Sequence, residues 1–328
     1  MLLLAVVLIS PKILSWSISQ NTDAKALNET ASVASQDFPV TVDPKQKLIT
    51  ENDQVNEYLA TNHSLLGAAV ATAGDSIWNL FKNIAISIAN APWYQSLANV
   101  SSKFVTINAG MRKEQVAAAF GDALKWNNKQ RKSFMSSSGL ASTSPFSSSI
   151  PDGSFSPGIY DVALGMTPET VRQMIDNRFS DEVLSHYSST TQSVVPLKDA
   201  LTVASLIQRE TITTDGMRLL SGIIWNRLFT NMNLQIDSTL QYVKANTPTE
   251  EHWWPNVNPA DKYLRSPYNT YTHPGLPPTP IANPSVAAIL AALNPIKTPC
   301  IFYFNDKSGA FHCSVTYAEH VSELKKYY

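Results

Sequence analysis

The proline-dense stretch from Gly275 to Pro284 restricts the fold of this chain more than any other feature of its sequence, because four of its ten residues are proline. Proline lacks a backbone N–H and has a fixed φ, which excludes the stretch from a helix interior and from a central strand. We predict a stiff, extended loop. Its last residues, Asn283 and Pro284, predict that a helix follows from Ser285 to Leu293, with Asn283 as its N-cap.

Composition and charge exclude several classes of protein. With 328 residues, of which 44% are apolar, the chain can bury a core and form two domains. Its 25 basic and 26 acidic residues leave a formal charge of -1, so it lacks the basic field that nucleic-acid binding needs. The sequence has no glycine-rich phosphate loop, no His/Cys metal spacing and no Gly-x-Ser-x-Gly turn, so neither a cofactor nor a metal is predicted.

The N-terminal part of the chain changes character twice. Residues 1–19 form an apolar run, broken by Pro11 and Lys12, that predicts a membrane anchor or signal-like segment. Residues 20–62 are polar and predict a flexible spacer. Residues 63–98 regain apolar side chains but also contain charged and amide groups, so we predict an amphipathic helical segment rather than a second span.

Two domains are predicted after residue 100. Alternation over residues 103–108 predicts a strand and helical spacing predicts two helices after it, an order compatible with a small LysM-like glycan-binding subdomain over residues 103–137. A Ser- and Pro-rich loop then marks the start of a second domain, residues 150–328. That domain is predicted to combine short strands and a C-terminal hairpin with helices, so the fold class is α+β. The predicted helices are 111–124, 129–135, 167–179, 197–209, 216–229 and 285–293.

The only two cysteines, Cys300 and Cys313, flank a turn-like stretch from Asn305 to Gly309 and predict a hairpin. A loop centred on residues 307 and 308 puts Cys313 opposite Phe302 rather than opposite Cys300. A disulfide would need a shifted register. We therefore favour two buried thiols over a bond between them.

Glu210 is the first candidate catalytic group. It follows Ile207 by three residues and Val203 by seven, so it lies on the apolar stripe of its predicted helix. A carboxyl among apolar neighbours loses hydration in its charged form, which raises its pKa towards neutrality, as a general acid requires. The structural alternative is that Glu210 lies in a frayed last turn or pairs with Arg218 or Arg227.

Two later blocks contain the groups from which sugar sites are built. Residues 234–239 combine amide, carboxylate and hydroxyl side chains, and the loop 266–271 adds two phenols and an amide. Aromatic faces stack on pyranose rings, while amides and carboxylates bond ring hydroxyls and acetamido groups. Packing in a core or a turn explains each tyrosine equally well. The candidate substrate-binding residues are Gln235, Asp237, Tyr268, Asn269, Thr270, Tyr271, Asn283 and His312, of which Asn283 ranks as scaffold before ligand contact and a lone histidine such as His312 is more often structural.

Residues 201–317 resemble the catalytic domain of the endolytic murein transglycosylase family, through four blocks that occur in the family's order. The blocks are Ala204–Thr211, Leu234–Thr239, Tyr268–Tyr271 and Gly275–Pro284. Upstream, residues 152–160 resemble the start of that domain and residues 104–134 resemble the family's LysM-like subdomain. The chain departs from the family at Ser238, where Pro is usual, at Thr279 and Ser285, where Gly is usual, and at Cys313, where an aromatic or aliphatic residue is usual.

The resemblance implies an enzyme that cuts the glycan strands of peptidoglycan internally, with Glu210 in the catalytic place. It also implies a single N-terminal span in the cytoplasmic membrane, with the catalytic domain on the extracytoplasmic side. The family is associated with release of nascent strands, which makes peptidoglycan synthases candidate partners.

The mechanism that we favour is lytic transglycosylation. Glu210 protonates the glycosidic oxygen between N-acetylmuramic acid and N-acetylglucosamine, then accepts the proton of the muramyl C6 hydroxyl that attacks the anomeric carbon. Because the nucleophile belongs to the substrate, one carboxylate suffices. The first alternative is a hydrolase in which Asp237 acts beside Glu210. The second is a non-catalytic scaffold that binds glycan through the 103–137 module.

Overall fold

The computed structural model describes residues 37–61, 86–87, 102–136, 152–247 and 250–328, and it confirms the predicted α+β class. The predicted anchor, and all of the predicted amphipathic segment except residues 86 and 87, lie outside this part of the chain. No helix within the described ranges combines the length with the apolar character that a bilayer span requires. The strands are β1 (Val42–Asp43), β2 (Leu48–Ile49), β3 (Ser102–Ile107), β4 (Gly158–Ala163), β5 (Phe302–Asn305) and β6 (Phe311–Ser314), and the helices are α1 (Asp53–Thr61), α2 (Lys113–Leu124), α3 (Asn128–Ser136), α4 (Pro168–Glu182), α5 (Ser189–Val194), α6 (Leu197–Glu210), α7 (Thr214–Phe229), α8 (Asp237–Lys244), α9 (Val286–Leu293) and α10 (Tyr317–Tyr327).

The larger of two apolar cores surrounds α6. Apolar side chains recur along this helix at the predicted spacing, and Leu201, Leu206 and Ile207 are fully buried. α9 consists only of Ala, Val, Ile and Leu, and it packs against both α6 and α7. A helix that is apolar on every side is stable only when other elements enclose it. This packing holds α6 in place and puts its last residue, Glu210, at the edge of the core.

The smaller core joins the predicted LysM-like segment to a strand from outside it. β3 pairs with β4 in antiparallel register, with Val105 opposite Tyr160. The rings of Phe134 and Tyr160 both pack against Phe120 in this core. The predicted LysM-like subdomain ends at residue 137. In the structure, β4 and α4 contribute to the same core, so the folded unit extends beyond this residue. Pairing between strands that are distant in sequence leaves no local signal, so the pattern of side chains alone does not locate the boundary.

Asn283 connects the two cores. Its side-chain oxygen accepts hydrogen bonds from the backbone N–H groups of Gly153 (2.7 Å) and Phe155 (3.0 Å), and its amide donates to the backbone oxygen of Met111 (2.8 Å). The residue is fully buried. The prediction that Asn283 caps α9 is therefore wrong, because its side chain satisfies buried backbone groups instead. Ser285 is the N-cap, and its hydroxyl accepts a hydrogen bond from the first turn of α9.

Residues 20–62 are predicted to be a flexible spacer, yet the part that is described, residues 37–61, is folded. β1 and β2 pair with each other, and α1 follows them. Phe38 and Val42 are buried in the larger core, and the backbone N–H of Thr41 donates to the backbone oxygen of Leu293 (3.0 Å). The prediction is wrong here because a few apolar side chains in a polar segment suffice when distant residues supply the core that receives them.

The C-terminal hairpin is confirmed, but its register and its cysteines differ from the prediction. Cys313 lies opposite Tyr303, and the connecting loop runs over residues 306–310. Cys300, which lies just before β5, forms a disulfide with Cys313 at a Cα–Cα distance of 5.8 Å, so the prediction of two free thiols is wrong. In a regular strand Cys300 and Tyr303 would point to opposite faces. The chain bends ahead of β5, where the Cys300 N–H donates to the Thr298 hydroxyl (3.1 Å), and the bend allows the bond.

Removal of this disulfide is expected to lower the free energy of unfolding by about 3 kcal/mol, because the bond closes a loop between residues 13 apart. Denaturant unfolding of wild type and of the Cys300→Ser/Cys313→Ser variant measures the loss. A reductant should bring the wild type to the stability of the variant and leave the variant unchanged. A free energy of unfolding of the wild type that the reductant does not change would contradict the expectation.

Candidate active site

Glu210 ends α6, and side chains from two other elements hold its carboxylate. The Ser238 hydroxyl, in the first turn of α8, donates to one carboxylate oxygen (2.8 Å), and the Tyr303 hydroxyl on β5 donates to the other (3.3 Å). The Asn305 amide donates to the backbone oxygen of Glu210 (3.2 Å). Because these contacts satisfy the end of the helix, the alternative of a frayed last turn is wrong.

Burial raises the pKa of Glu210 above its ordinary value. The hydrogen bond from Ser238 opposes this rise, and the nearby charge of Asp237 adds to it. The two arginines that sequence alone offers as ion-pair partners contact other groups, since the guanidinium groups of Arg218 (2.9 Å) and Arg227 (2.7 Å) donate to backbone oxygens. Glu210 is thus a carboxyl held by neutral donors, and its burial disfavours the charged form and shifts its pKa in the direction that a general acid requires.

Glu210 opens onto a cavity of about 550 Å³. The walls combine both signs of charge with amides and aromatic rings, a composition that suits a ligand rich in hydroxyl and amide groups. Among the described residues, no three His, Cys, Asp or Glu side chains come together in a way that would hold a metal ion. The residues that line the cavity are Glu210, Arg227, Gln235, Asp237, Lys262, Tyr271, Phe302, Tyr303, Phe304, Asn305, Tyr317, His320 and Leu324.

Asp237 presents a second carboxylate to the same cavity. The Tyr271 hydroxyl donates to it (2.6 Å), and the Lys262 ammonium lies 5.0 Å from the centre of the Tyr271 ring. Burial and the Asp237 charge raise the pKa of Tyr271, which keeps this phenol a proton donor. Asp237 also lies in the first turn of α8, where the helix dipole favours negative charge. The two carboxyls of the cavity therefore have different environments, one enclosed and one hydrogen-bonded to a phenol near a cation.

Gln235 lines the cavity from a strained backbone position, with a φ of 52°. The left-handed region costs a non-glycine residue about 1 kcal/mol. Two hydrogen bonds hold the strained segment, from the Gln235 N–H to the Thr270 backbone oxygen (3.0 Å) and from the Ile236 N–H to the Thr270 hydroxyl (3.0 Å). Thr270 therefore positions Gln235 and Asp237, which lie on either side of Ile236.

Five of the predicted substrate-binding residues do not line this cavity and instead have structural contacts. Asn269, Thr270 and Asn283 are buried, and their side chains bond backbone groups. Tyr268 packs against another tyrosine ring, with 5.0 Å between ring centres. His312 bonds a carboxylate of its own hairpin (2.8 Å). A role of these five in substrate binding stays a prediction, whereas the structure brings Glu210, Gln235, Asp237 and Tyr271 together at the cavity.

Ser238, Tyr303 and Asn305 contact Glu210, yet they are absent from the predicted site. Side chains alternate between the two faces of a strand, so the sequence alone predicts that Tyr303 and Asn305 share one face of β5. Which face turns towards Glu210 depends on the packing of β5 beside α7, which the sequence does not reveal. The sequence shows Ser238 as one hydroxyl of the polar block 234–239 and as a departure from the family pattern, and neither signal indicates a contact with Glu210.

The α+β fold presents one enclosed carboxyl at a polar, aromatic-lined cavity, an arrangement that suits acid–base chemistry. Residues 77–326 match the YceG-like family, and the protein belongs to that family. A solved structure, a putative YceG-like protein from Listeria monocytogenes, has the same fold with a TM-score of 0.59 at 21% identity, over 70% of this chain and 80% of that one.

The chain is also similar to curated relatives named endolytic murein transglycosylase. It is 27% identical over 245 residues to the protein of Bacillus subtilis (strain 168), an alignment that covers 68% of this chain and 64% of the relative. It is 31% identical over 140 residues to the protein of Streptococcus pneumoniae serotype 2 (strain D39), covering 42% of this chain and 25% of that relative. This chain therefore matches less than two thirds of the length of either relative.

Proposed function

We propose that this protein is an endolytic lytic transglycosylase that cleaves peptidoglycan glycan strands, with Glu210 as its single general acid and base. The observation that carries the proposal is the enclosed Glu210 carboxyl, which opens onto a polar cavity and has a pKa that burial raises. The names of the Bacillus and pneumococcal relatives support the same activity.

In the proposed reaction, neutral Glu210 gives its proton to the glycosidic oxygen between N-acetylmuramic acid and N-acetylglucosamine as the bond from this oxygen to muramyl C1 breaks. The C6 hydroxyl of the same muramyl residue forms the new bond to C1 and gives its proton to the Glu210 carboxylate, which restores the enzyme. The products are an anhydro-muramyl end and a free hydroxyl on N-acetylglucosamine. Water is not consumed, so a second carboxyl is not required.

The neighbours of Glu210 have defined roles in this scheme. When Glu210 is a carboxylate, between the two proton transfers, the Ser238 and Tyr303 hydroxyls stabilise its charge. Gln235 and Asp237 face the same cavity and hold the sugar rings through hydrogen bonds. Fixed positioning of this kind is worth several powers of ten in rate.

The experiment that tests the proposal is mass spectrometry of the products formed from uncrosslinked glycan strands. Transglycosylation leaves anhydro-muramyl ends, and the summed mass of the products equals that of the substrate. Hydrolysis leaves reducing ends and adds the mass of one water molecule for each cut. Strands that stay intact with a folded protein would contradict both reactions and favour the non-catalytic scaffold.

Hydrolysis is the second candidate reaction, and the observation that favours it is the presence of Asp237 in the same cavity as Glu210. In this case Asp237 would act as the base or the nucleophile that hydrolases need. Reducing ends that disappear in Asp237→Asn would support it. Anhydro-muramyl ends would exclude it as the main reaction.

Tyr303→Phe is expected to lower kcat by about 10-fold and to leave KM unchanged, because one of the two hydroxyl donors to the Glu210 carboxylate is lost while the ring remains. Steady-state kinetics on glycan strands measures the effect. Tyr317→Phe removes a hydroxyl from the same cavity without a contact to Glu210 and serves as the control. Equal kcat values in the two variants would contradict the role of Tyr303.

We also propose that residues 1–19 anchor the protein as a single span in the cytoplasmic membrane, with the folded part on the extracytoplasmic side and peptidoglycan synthases as partners there. The apolar run supports the anchor, and the Cys300–Cys313 disulfide supports the location because such bonds persist in oxidising compartments. Protease added to intact protoplasts should digest the protein. Full protection would contradict this location, and failure to crosslink to any synthase in growing cells would contradict the partnership.

A glycan-binding role is likewise proposed for the unit of β3, α2, α3 and β4. Its strand–helix–helix–strand order supports the LysM-like interpretation. Substitution of the exposed residues Asn128 and Lys129 on α3 should weaken cosedimentation with insoluble peptidoglycan. Unchanged cosedimentation would contradict binding through this face.

A further inference from the structure

A second cavity, of about 330 Å³, lies in the loop that follows α8. Its walls include His252, Trp254 and the amides of Asn256 and Asn258. Lys244 and Glu250 also line it, so its two formal charges cancel. None of these residues has a role in the reaction proposed above. An aromatic ring with amides and little net charge suits an uncharged, hydroxyl-rich ligand better than an anion.

The loop that forms this second cavity is fixed to the folded body. The Arg209 guanidinium lies 3.9 Å from the centre of the Trp254 ring, and the indole N–H donates to the Gln115 side chain (3.2 Å). The Lys244 ammonium donates to the backbone oxygen of Asn256 (2.8 Å). A loop that is held at several points presents its side chains ready for binding, because little conformational entropy is lost when a ligand arrives.

Two elements connect the second cavity to the candidate active site. Arg209, which stacks on Trp254, directly precedes Glu210 at the end of α6. The 3₁₀ turn Pro259–Tyr263 starts at the wall of the second cavity and includes Lys262 in the wall of the first. The two cavities are therefore linked through neighbouring residues at the end of α6 and through one short turn.

Exposed aromatic rings occur in the segment that lines the second cavity and in the 3₁₀ turn that follows it. Trp253 is 40% exposed and Tyr263 is 82% exposed. Large rings that stay accessible on a fixed segment are typical of ligand-binding surfaces, and the apolar faces of sugar rings stack on them.

We propose that the second cavity is a distal glycan subsite, which binds an N-acetylated sugar of the same strand at a distance from the bond that is cut. The identity of the ligand rests on the proposed function. Trp254 supplies the stacking surface, and the Asn256 and Asn258 amides bond hydroxyl and acetamido groups. A subsite away from Glu210 adds affinity only for strands long enough to reach both cavities, so it directs cleavage towards long strands.

Calorimetric titration of glycan strands without stem peptides, separated into short and long fractions, tests the proposal in the Glu210→Gln protein, which leaves the strands uncut. Trp254→Ala in this background should weaken the Kd for long strands by about 10-fold, the effect of one lost stacking contact, and leave the Kd for short strands unchanged. His252→Ala/Asn256→Ala changes only exposed side chains and should act in the same direction. Leu164→Ala, at an exposed apolar residue elsewhere, is the control.

Equal weakening for short and long strands in both variants would overturn the proposal, since damage to the fold or to Arg209 acts on every substrate. Unchanged affinity for long strands, or no binding of either fraction, would also overturn it. Failure of the proposed function has a different sign: the wild-type protein forms no anhydro-muramyl ends. The titrations still measure how binding depends on strand length, so the two failures can be told apart.

Discussion

Glu210→Gln is expected to reduce the formation of anhydro-muramyl ends by about 10³-fold or more, because it removes the group that donates and accepts the proton. Glutamine keeps the shape of the side chain and still accepts the hydrogen bond from the Ser238 hydroxyl. The site should therefore still bind strands. Quantitative mass spectrometry of muropeptides gives the rate, and titration with intact strands gives the affinity.

The stability of the Glu210→Gln protein separates a catalytic loss from a structural one. Burial raises the pKa of Glu210, so an uncharged replacement should leave the free energy of unfolding unchanged or raise it. Asp199→Asn is a matched control, since Asp199 lies on the same helix and burial raises its pKa too, but it does not line the cavity. Normal cleavage by Glu210→Gln would exclude Glu210 as the acid and base.

The position of Glu210 was predictable because helical periodicity is a local property. Its spacing from Val203 and Ile207 puts it on the apolar stripe whatever surrounds the helix. The contacts from Ser238 and Tyr303 were not predictable, since they join α6 to α8 and β5, elements that are far apart in sequence. For the same reason, Asn269 and Thr270 have the composition of a sugar site but are structural: Thr270 holds the Gln235 segment, and the Asn269 amide bonds the backbone oxygens of Lys262 and Leu264.

The same difference between local and long-range features separates the correct predictions of the fold from the wrong ones. The six predicted helices, α2, α3, α4, α6, α7 and α9, begin and end within a few residues of their predicted positions, because apolar spacing and end signals such as Thr167 before Pro168 are local. The short helices α5 and α8 were not predicted. The pairing of β3 with β4 and the burial of Phe38 depend on distant parts of the chain, and both were missed. The disulfide was missed because the chain bends ahead of β5, whereas the prediction assumed that a regular strand extends back to Cys300.

The free energy of unfolding is expected to fall as the pH rises from about 4 to about 7, through the buried carboxyl of Asp152. Burial, with a smaller contribution from the charge of Glu114, raises the pKa of Asp152 from 3.8 to about 7 although Arg112 and Lys113 oppose the rise. Only 1% of the residue is exposed, and it accepts hydrogen bonds from the Lys113 N–H and the Tyr242 hydroxyl (3.1 Å). In this pH range the folded protein keeps a proton that the unfolded chain releases, so folding loses about 4 kcal/mol.

Asp152→Asn isolates this carboxyl from the others that titrate in the same range. The asparagine oxygen can accept from the Lys113 N–H and its amide can donate to the Tyr242 hydroxyl, so the contact between the two cores is kept without a proton to lose. Denaturant unfolding at a series of pH values should show the variant gaining on the wild type above pH 4, by about 4 kcal/mol at pH 7 and above. Asp161→Asn, which removes the same charge from an exposed position on β4, should leave the wild-type slope intact. Parallel pH profiles for wild type and Asp152→Asn would mean that Asp152 is ionised in the folded protein throughout, with Arg112 offsetting the cost of its burial.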